Sequence, residues 1–231
     1  MNDGLQTLSR YGDRGAIGAR RNRVLRNTYW LLALSMLPTV LGAWIGVATG
    51  FVATLGNGAS AILFLAGAFG FMFAIEKTKN SAAGVPVLLG FTFFMGLMLS
   101  RLLAMILGLT NGASLIMLAF GGTGAVFVAM ASLATVIKRD LSNFGKFLFV
   151  GAIVLLVAGL INLFVQSSAL MATLSVLAVG LFSAFMLYDV KRVVDGGETN
   201  YITATLAIYL DLYNVFQSLL MLLGMFGGQR D

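Results

Sequence analysis

The residues of this chain that could do chemistry are few, and they are carboxylates rather than imidazoles or thiols. Histidine and cysteine are both absent from the 231 residues, which removes the commonest general base, the commonest zinc ligand and any disulfide. Three ionisable side chains in the long apolar stretches are the candidates for membrane depth: Arg101, Asp189 and Asp211. If those stretches cross a bilayer, a charge at the centre costs ~2.5–3.5 kcal/mol or more, so these residues are the candidates for function.

Asp211 is the most informative of the three. It falls ten residues into the last apolar stretch, which corresponds to a depth of about 15 Å in a helix, and a short acidic side chain cannot reach the headgroups from there. Residues three, four and seven positions away share its face, and they are small or polar: Ala204, Ala207, Asn214 and Ser218. This face should point inward. Two alternatives follow, a protonated and hydrogen-bonded Asp211 within a bundle, or a proton or cation site.

Asp189 and Arg101 have simpler explanations. Asp189 lies about one turn from the end of its apolar stretch, and Arg192 follows three residues later, so a local ion pair accounts for it. Arg101 lies about 27 Å along its stretch, near the opposite end, where its long side chain can reach the headgroups. The alternative is that both contribute to a site within the membrane.

A pair of aspartates in a low dielectric would have a clear use. Two carboxylates that lie close together cannot both ionise freely, so they share a proton and titrate as a unit. When ionised, they offer oxygen ligands to a hard cation such as calcium. From the turn at Gly197, Asp189 is eight residues back and Asp211 is fourteen forward, a mismatch of about 9 Å along antiparallel helices. Contact therefore requires an offset, a tilt or a break in one helix.

The elements that must position these residues are transmembrane helices. Hydrophobic residues make up 59% of the chain and charged residues only 10%, against roughly 25% charged in an ordinary soluble domain. A helix needs about 20 apolar residues to cross the hydrocarbon. Seven stretches meet this requirement, and we expect an all-α, polytopic membrane protein with spans at 29–51, 57–75, 83–107, 113–137, 144–165, 169–193 and 201–226.

The basic residues predict the orientation of the spans. Thirteen of the 15 lysines and arginines lie in residues 1–28 or follow spans two, four and six, whereas the other three connections contain none. This alternation predicts a cytoplasmic N-terminus. It also indicates that the net positive charge reflects membrane topology and does not serve to bind nucleic acid. Seven full spans would place the C-terminus outside, but a last segment that only re-enters would return it inside.

The chain therefore divides into an Arg-rich cytoplasmic tail, a membrane domain and a short C-terminal tail. These occupy residues 1–28, 29–226 and 227–231. The first tail is polar enough to be disordered. In span four, the small residues Gly121, Ala125 and Ala129 recur at a spacing that lets helices approach closely, so we expect that face to pack within the bundle.

Several segments resemble the Bax inhibitor-1 family, in particular its bacterial YccA branch. The resemblance covers residues 22–226, and its most specific segments are Val24–Tyr29, Lys138–Ser142, Gly196–Ile202 and Leu206–Gly224. It implies a compact bundle of seven helices with the last helix at its centre, located in the bacterial inner membrane.

The resemblance also implies two functions. Channel-like members are pH-sensitive calcium leaks gated by two aspartates, to which Asp189 and Asp211 correspond. Those members also have an arginine near the end of helix two that latches the closed state. This chain departs from that pattern, because the region reads Glu76–Lys79, and Lys79 is the candidate for the same position. The YccA branch binds the membrane protease FtsH through its N-terminal tail and restrains it, and residues 1–28 would serve as that tail.

The sequence thus predicts a protein that is not an enzyme and has no cofactor beyond a transient calcium ion. The candidate ion- and pH-sensing residues are Asp189 and Asp211, which would also be the calcium ligands. The supporting candidates are Asn214, Ser218, Arg192, Lys79 and Arg101. An intramembrane aspartyl protease would need the two aspartates in contact and a path for water, and without His or Cys there is no Ser–His or metal mechanism.

Overall fold

The computed structural model describes residues 3–229, except for the side chains of residues 3–17, 19, 20, 57 and 142. Within this range the chain forms helices and no strand. The helices are α1 (Asp3–Thr49), α2 (Phe51–Thr54), α3 (Asn57–Thr78), α4 (Gly84–Leu107), α5 (Gly112–Val136), α6 (Ser142–Val165), α7 (Ser168–Asp195) and α8 (Tyr201–Gly227). Residues 1, 2, 230 and 231, which belong to the two predicted tails, lie outside the described part.

Seven of the described helices are long and apolar enough to cross a membrane, as the composition predicts. They are all the helices except the four-residue α2, and in α1 the apolar segment is Arg21–Thr49. The prediction of an all-helical membrane protein with seven spans is therefore confirmed. One boundary differs, because α1 begins at Asp3 and residues 3–28 are helical rather than disordered.

The last helix lies at the centre of the bundle. α8 packs against α1, α3, α4, α5 and α7, and it contributes nine buried residues, among them Ile208, Tyr209 and Val215. A helix surrounded on most sides must be apolar or pair its polar groups internally. Each polar residue on α8 therefore needs either a hydrogen-bond partner in the bundle or a functional reason to be there.

Both ends of α8 are tied to connections at opposite ends of the bundle. At its start, Asn200 Nδ2 donates to Lys79 O at 3.0 Å and to Asn80 Oδ1 at 2.9 Å, on the α3–α4 connection. At its end, Asn111 Nδ2, on the α4–α5 connection, donates to Gly227 O at 2.7 Å. Since 27 residues span about 40 Å, α8 crosses the whole bundle and does not re-enter.

We call the two ends of the bundle the basic face and the far face. The basic face contains the α3–α4, α5–α6 and α7–α8 connections, where the basic residues Lys77, Lys79, Lys138, Arg139 and Arg192 lie. The far face contains the α4–α5 and α6–α7 connections and the end of α8.

Close helix packing occurs between α1 and α4, not along the predicted stripe of α5. A Cβ added to Gly42 would overlap Phe93 O, and one added to Gly96 would overlap Thr39 O, so the two backbones are in contact. In contrast, Gly121 has nothing within 4 Å of the corresponding position and is exposed. The prediction for the α5 stripe was wrong, because the spacing of small residues does not indicate whether a helix or lipid covers them.

Candidate functional site

The carboxyl group of Asp211 is buried in the middle of the bundle. Asp211 follows the start of α8 by ten residues and is only 4% exposed. Its Oδ2 atom is buried and has no hydrogen-bond partner within the described structure. Buried polar atoms are nearly always paired, so an unpaired carboxyl oxygen calls for a ligand or a shared proton.

Asp189 lies near the same depth but is closer to charged partners. It precedes the end of α7 by six residues, and its side chain is 12% exposed. Arg192 Nη1 lies 3.5 Å from Asp189 Oδ1, and Arg192 Nη2 lies 3.6 Å from Glu198 Oε2. Because the Arg192 side chain is 42% exposed and both contacts are long, this ion pair is weak.

The two carboxyl groups face the same cavity. Asp189 and Asp211 both line it and lie close enough for their charges to interact. Asp189 lies six residues before the end of α7 and Asp211 lies ten residues after the start of α8, so the helices must be offset by about 6 Å. The connection between Asp195 and Tyr201, in which Asn200 is extended, provides this offset.

The start of that connection is a glycine turn. Gly196 has φ +82°, and the N–H groups of Gly197 and Glu198 donate to Arg192 O at 2.8 and 3.1 Å. This is a typical end of a helix, in which glycine adopts the left-handed conformation at no steric cost. Asn200 then accepts from Ile202 N at 2.9 Å and begins α8.

Both aspartates line a cavity of about 530 Å³ between α3, α4, α6, α7 and α8. Its polar lining comes from α7 and α8 alone, whereas α3, α4 and α6 contribute only apolar residues and a glycine. The polar residues are Asp189, Asp211, Asn214, Gln217, Ser218 and Ser175. On α7 the lining extends from Asp189 to Met171, about 27 Å along the helix axis, so the cavity is elongated toward the far face.

The predicted inward face of α8 is largely correct. Ala207, Asn214 and Ser218 line the cavity beside Asp211, whereas Ala204 does not. The sequence analysis missed Gln217 and Ser175. Gln217 lies three residues after Asn214. It would have been identified if the helical spacing of three or four residues had also been counted from Asn214, and not from Asp211 alone. Ser175 carries no signal in the sequence, because only the packing of α7 against α8 places it there.

The opposite face of α8 is anchored by tyrosines. Tyr209 Oη lies 2.9 Å from Thr39 Oγ1 and donates to Thr92 O at 3.4 Å, and Tyr213 Oη donates to Met95 O at 3.3 Å. These bonds join α8 to α1 and α4. The face that carries Asp211 is thus held against the cavity by a rigid support.

Two of the predicted supporting residues lie away from the aspartates. Lys79 pairs with Glu76 on its own helix end, and Arg101 Nη1 donates to Ser60 Oγ at 3.2 Å near the far face. Neither side chain lines the cavity. Arg192 is the cation that contacts Asp189.

A buried lysine two residues after Asp189, Lys191, was not anticipated. Lys191 Nζ donates to Ile137 O, at the end of α5, at 2.8 Å and forms an ion pair with Asp195 at 2.8 Å. A cation at a helix C-terminus interacts favourably with the helix dipole. Lys191 therefore fixes the position of α5 against the segment of α7 that contains Asp189.

The polar atoms in the cavity that could contact a cation are oxygens from carboxyl, amide and hydroxyl groups. Among the described residues there is no group of three His, Cys, Asp or Glu side chains that could hold a metal ion. Calcium takes six to eight oxygen ligands. Two carboxyl groups, the amide oxygens of Asn214 and Gln217 and the Ser218 hydroxyl could supply part of that set only if water completes it.

Comparison with known proteins places the chain in a family. The family model described as "Inhibitor of apoptosis-promoting Bax1" matches residues 21–228. An uncharacterised protein of Neisseria meningitidis is 38% identical over 212 residues, which cover 90% of this chain and 93% of the relative. An uncharacterised membrane protein of Vibrio cholerae is also 38% identical, over 88% of this chain and 89% of the relative.

A relative whose name states a function is found in Escherichia coli. It is described as "Modulator of FtsH protease YccA" and is 35% identical over 203 residues, which cover 88% of this chain and 90% of the relative. A second E. coli strain has the same match under the name "Inner membrane protein YccA". None of these names describes an enzyme. The chain therefore belongs to the Bax inhibitor-1 family, and within it to the YccA branch.

Proposed function

We propose that this protein is a pH-sensitive cation leak, with calcium as the principal ion, in which Asp189 and Asp211 form the gate. The observation that carries the proposal is the unpartnered Oδ2 of Asp211, buried in a cavity beside a second carboxyl group. Such an arrangement binds a proton or a cation, and it alternates between them. A purely structural aspartate would instead have both oxygens paired.

The two states of the pair differ in charge and therefore in packing. With a shared proton, the carboxyl groups attract one another and hold α7 against α8. Without it, two negative charges repel in a low dielectric, which favours separation of the helices or the binding of a divalent cation. Arg192 and Glu198 are the other charged groups near Asp189, and they connect it to the basic face.

The path from the pair toward the far face is polar along α8. Asn214, Gln217 and Ser218 line the cavity beyond Asp211, and the seven residues from Asp211 to Ser218 span about 10 Å. These amide and hydroxyl groups can replace part of the hydration shell of an ion. Cations would pass along this face once the pair opens.

Calcium flux in proteoliposomes tests the leak. A calcium-sensitive dye inside the vesicles should report influx with the wild-type protein, reduced at least about tenfold by Asp211→Asn, which keeps the shape and removes the charge. Asp195→Asn is the matched control, because Asp195 is half exposed and pairs with Lys191 outside the cavity. Equal influx through the wild-type protein and Asp211→Asn would overturn the proposal.

A second function is supported by the relative described as a modulator of the FtsH protease. We propose that this protein lies in the bacterial inner membrane with its N-terminus in the cytoplasm, and that residues 1–28 present a site to FtsH. The extension of α1 beyond its apolar segment, from Asp3 to Arg20, supports a segment that projects from the membrane.

Affinity capture tests this second function. Full-length protein should retain FtsH from solubilised membranes, and protein that lacks residues 1–20 should not. The Asp211→Asn variant should retain FtsH like the wild-type protein, because its change lies in the membrane. Failure of the full-length protein to retain FtsH would argue against the modulator function and leave the leak untouched.

A further inference from the structure

The cavity that contains Asp211 opens sideways, at the middle of the bundle. Phe69 on α3 and Leu156 on α6 both line it, and they are 63% and 48% exposed. Phe69 lies twelve residues into α3, and Leu156 lies fourteen residues into α6, so each is about 20 Å from the end of its helix. An opening at that level of a membrane-spanning bundle faces acyl chains and not water.

The helices on either side of the opening pack mainly on other parts of the bundle. α3 packs mainly on α4, and α6 packs on α7, which leaves the cleft between α3 and α6 as the entrance. The walls of the cleft are apolar, with Phe64, Met72 and Leu155 among them, and its floor carries the carboxyl groups. The cavity is therefore amphipathic, with an acid at the bottom and aromatic and aliphatic groups above it.

The volume and composition exceed what an inorganic ion requires. A cavity of about 530 Å³ falls within the range of pockets for organic ligands. Its phenylalanines, including Phe182 and Phe185 on α7, can contact a cation through their ring faces. The unpaired Oδ2 of Asp211 provides the acceptor that fixes a charged head group.

We infer that this cavity binds hydrophobic amines that enter from the lipid. A neutral amine partitions into the hydrocarbon, passes between Phe69 and Leu156, and takes the proton of the carboxyl pair. The product is an ammonium–carboxylate ion pair at Asp211, with the apolar part of the ligand against α3 and α6. No net charge crosses the hydrocarbon, because the proton moves from oxygen to nitrogen inside the protein. The inference goes beyond the ion leak and does not depend on ion flow.

Thermal unfolding with two matched probes tests the inference. 4-Phenylbutylamine and the neutral 4-phenylbutan-1-ol differ in the group that would contact Asp211, and both partition into detergent micelles. Binding to the folded state raises the unfolding temperature with ligand concentration. The amine should stabilise the wild-type protein at concentrations about tenfold lower than the alcohol, and this preference should disappear in Asp211→Asn and persist in Asp195→Asn.

A second variant keeps the test decisive if Asp211→Asn does not fold. Gly159 lines the cavity from α6, and nothing lies within 4 Å of the position of a Cβ there. Gly159→Leu should therefore fill the cavity and weaken the effect of both probes, whereas Gly124→Leu, on an exposed and equally open position of α5, should leave it unchanged. Equal stabilisation by amine and alcohol, or a full amine effect in Gly159→Leu, would overturn the inference. The calcium flux assay is measured separately, so the proposed ion leak and the proposed amine binding can fail independently of one another.

Discussion

At the level of single residues, the surroundings of each carboxyl group determine what it can do. Asp211 lies on the central helix and is enclosed by the neighbouring helices, and one of its oxygens has no hydrogen-bond partner among the described residues. Asp189 shares the cavity but contacts Arg192, which in turn contacts Glu198. Among the described residues, the charged groups near the proposed pair therefore lie on the Asp189 side.

Replacing Arg192 should change the pH dependence of the leak. Its guanidinium lies beside Asp189, so Arg192→Gln removes a positive charge that attracts the carboxylate. If the leak opens when the pair ionises, as proposed above, calcium flux should then begin at a higher pH, by less than about one unit because exposed ion pairs are weak. Proteoliposome flux measured between pH 5 and pH 9 checks this. Lys79→Gln is the control, since Lys79 pairs with Glu76, and an equal shift in that variant would contradict the assignment.

Replacing Lys191 should destabilise the fold. Its ammonium group is buried, donates to Ile137 O and pairs with Asp195. Lys191→Met leaves the end of α5 without this donor, and a hydrogen bond that involves a charged group contributes about 1.5–3 kcal/mol. The unfolding temperature should fall by several degrees. Lys146→Met, at an exposed position of α6, should have little effect, and a similar loss in both variants would contradict a specific role for Lys191.

At the level of elements, α1 and α4 form the most closely packed pair in the bundle, and their glycines make the packing possible. Backbone contact through Gly42 and Gly96 supports the hydrogen bonds from the α8 tyrosines to Thr39, Thr92 and Met95. The closely packed part of the molecule therefore includes α1, α4 and one face of α8. The cavity lies along the other face of α8, beside α3 and α6, and these two helices pack against few other helices.

The smallest substitution at that contact should be costly. Gly96→Ala places a methyl group onto the Thr39 carbonyl, so α1 and α4 must move apart, at a cost of about 1–3 kcal/mol. Denaturant or thermal unfolding in detergent measures the loss. The same change at Gly124, where nothing lies within 4 Å, should be neutral. A neutral Gly96→Ala would show that the two helices are not in backbone contact.

At the level of the whole molecule, the path of α8 determines the side on which the chain ends. Its first residues bond to the α3–α4 connection on the basic face, and its last residues bond to Asn111 on the far face. Thr110 N also donates to Gln229 O at 3.1 Å. Seven crossings therefore separate the start of the apolar segment of α1 from the end of α8.

The two termini should thus lie on opposite sides of the membrane. With a cytoplasmic N-terminus, as the basic residues predict, green fluorescent protein fused to the N-terminus should fluoresce. Alkaline phosphatase, which is active only outside the cytoplasm, should be active when fused to the C-terminus and inactive when fused to the N-terminus. An active C-terminal fluorescent fusion with an inactive phosphatase fusion would contradict a seven-span topology.

The number of membrane spans, their approximate boundaries and the exceptional position of Asp211 could be determined from the sequence alone. The thickness of the hydrocarbon sets the length of each apolar stretch, and the cost of a buried charge makes Asp211 stand out from its neighbours. The length of an apolar stretch and the cost of a buried charge both depend only on one segment and on the lipid around it. The face with Asn214 and Ser218 follows for the same reason, because the helix period is local.

The meeting of Asp189 with Asp211 was decided only by the tertiary structure. Counting residues from the turn at Gly197 separates them by about 9 Å, and contact depends on how α7, the connection and α8 are offset against one another. The cavity and Ser175 depend likewise on which helices neighbour α8, as does the exposure of Gly121. These properties depend on how segments that are distant in the sequence pack together. The helical period and the hydropathy of one segment do not indicate whether another helix or lipid covers a given face of it.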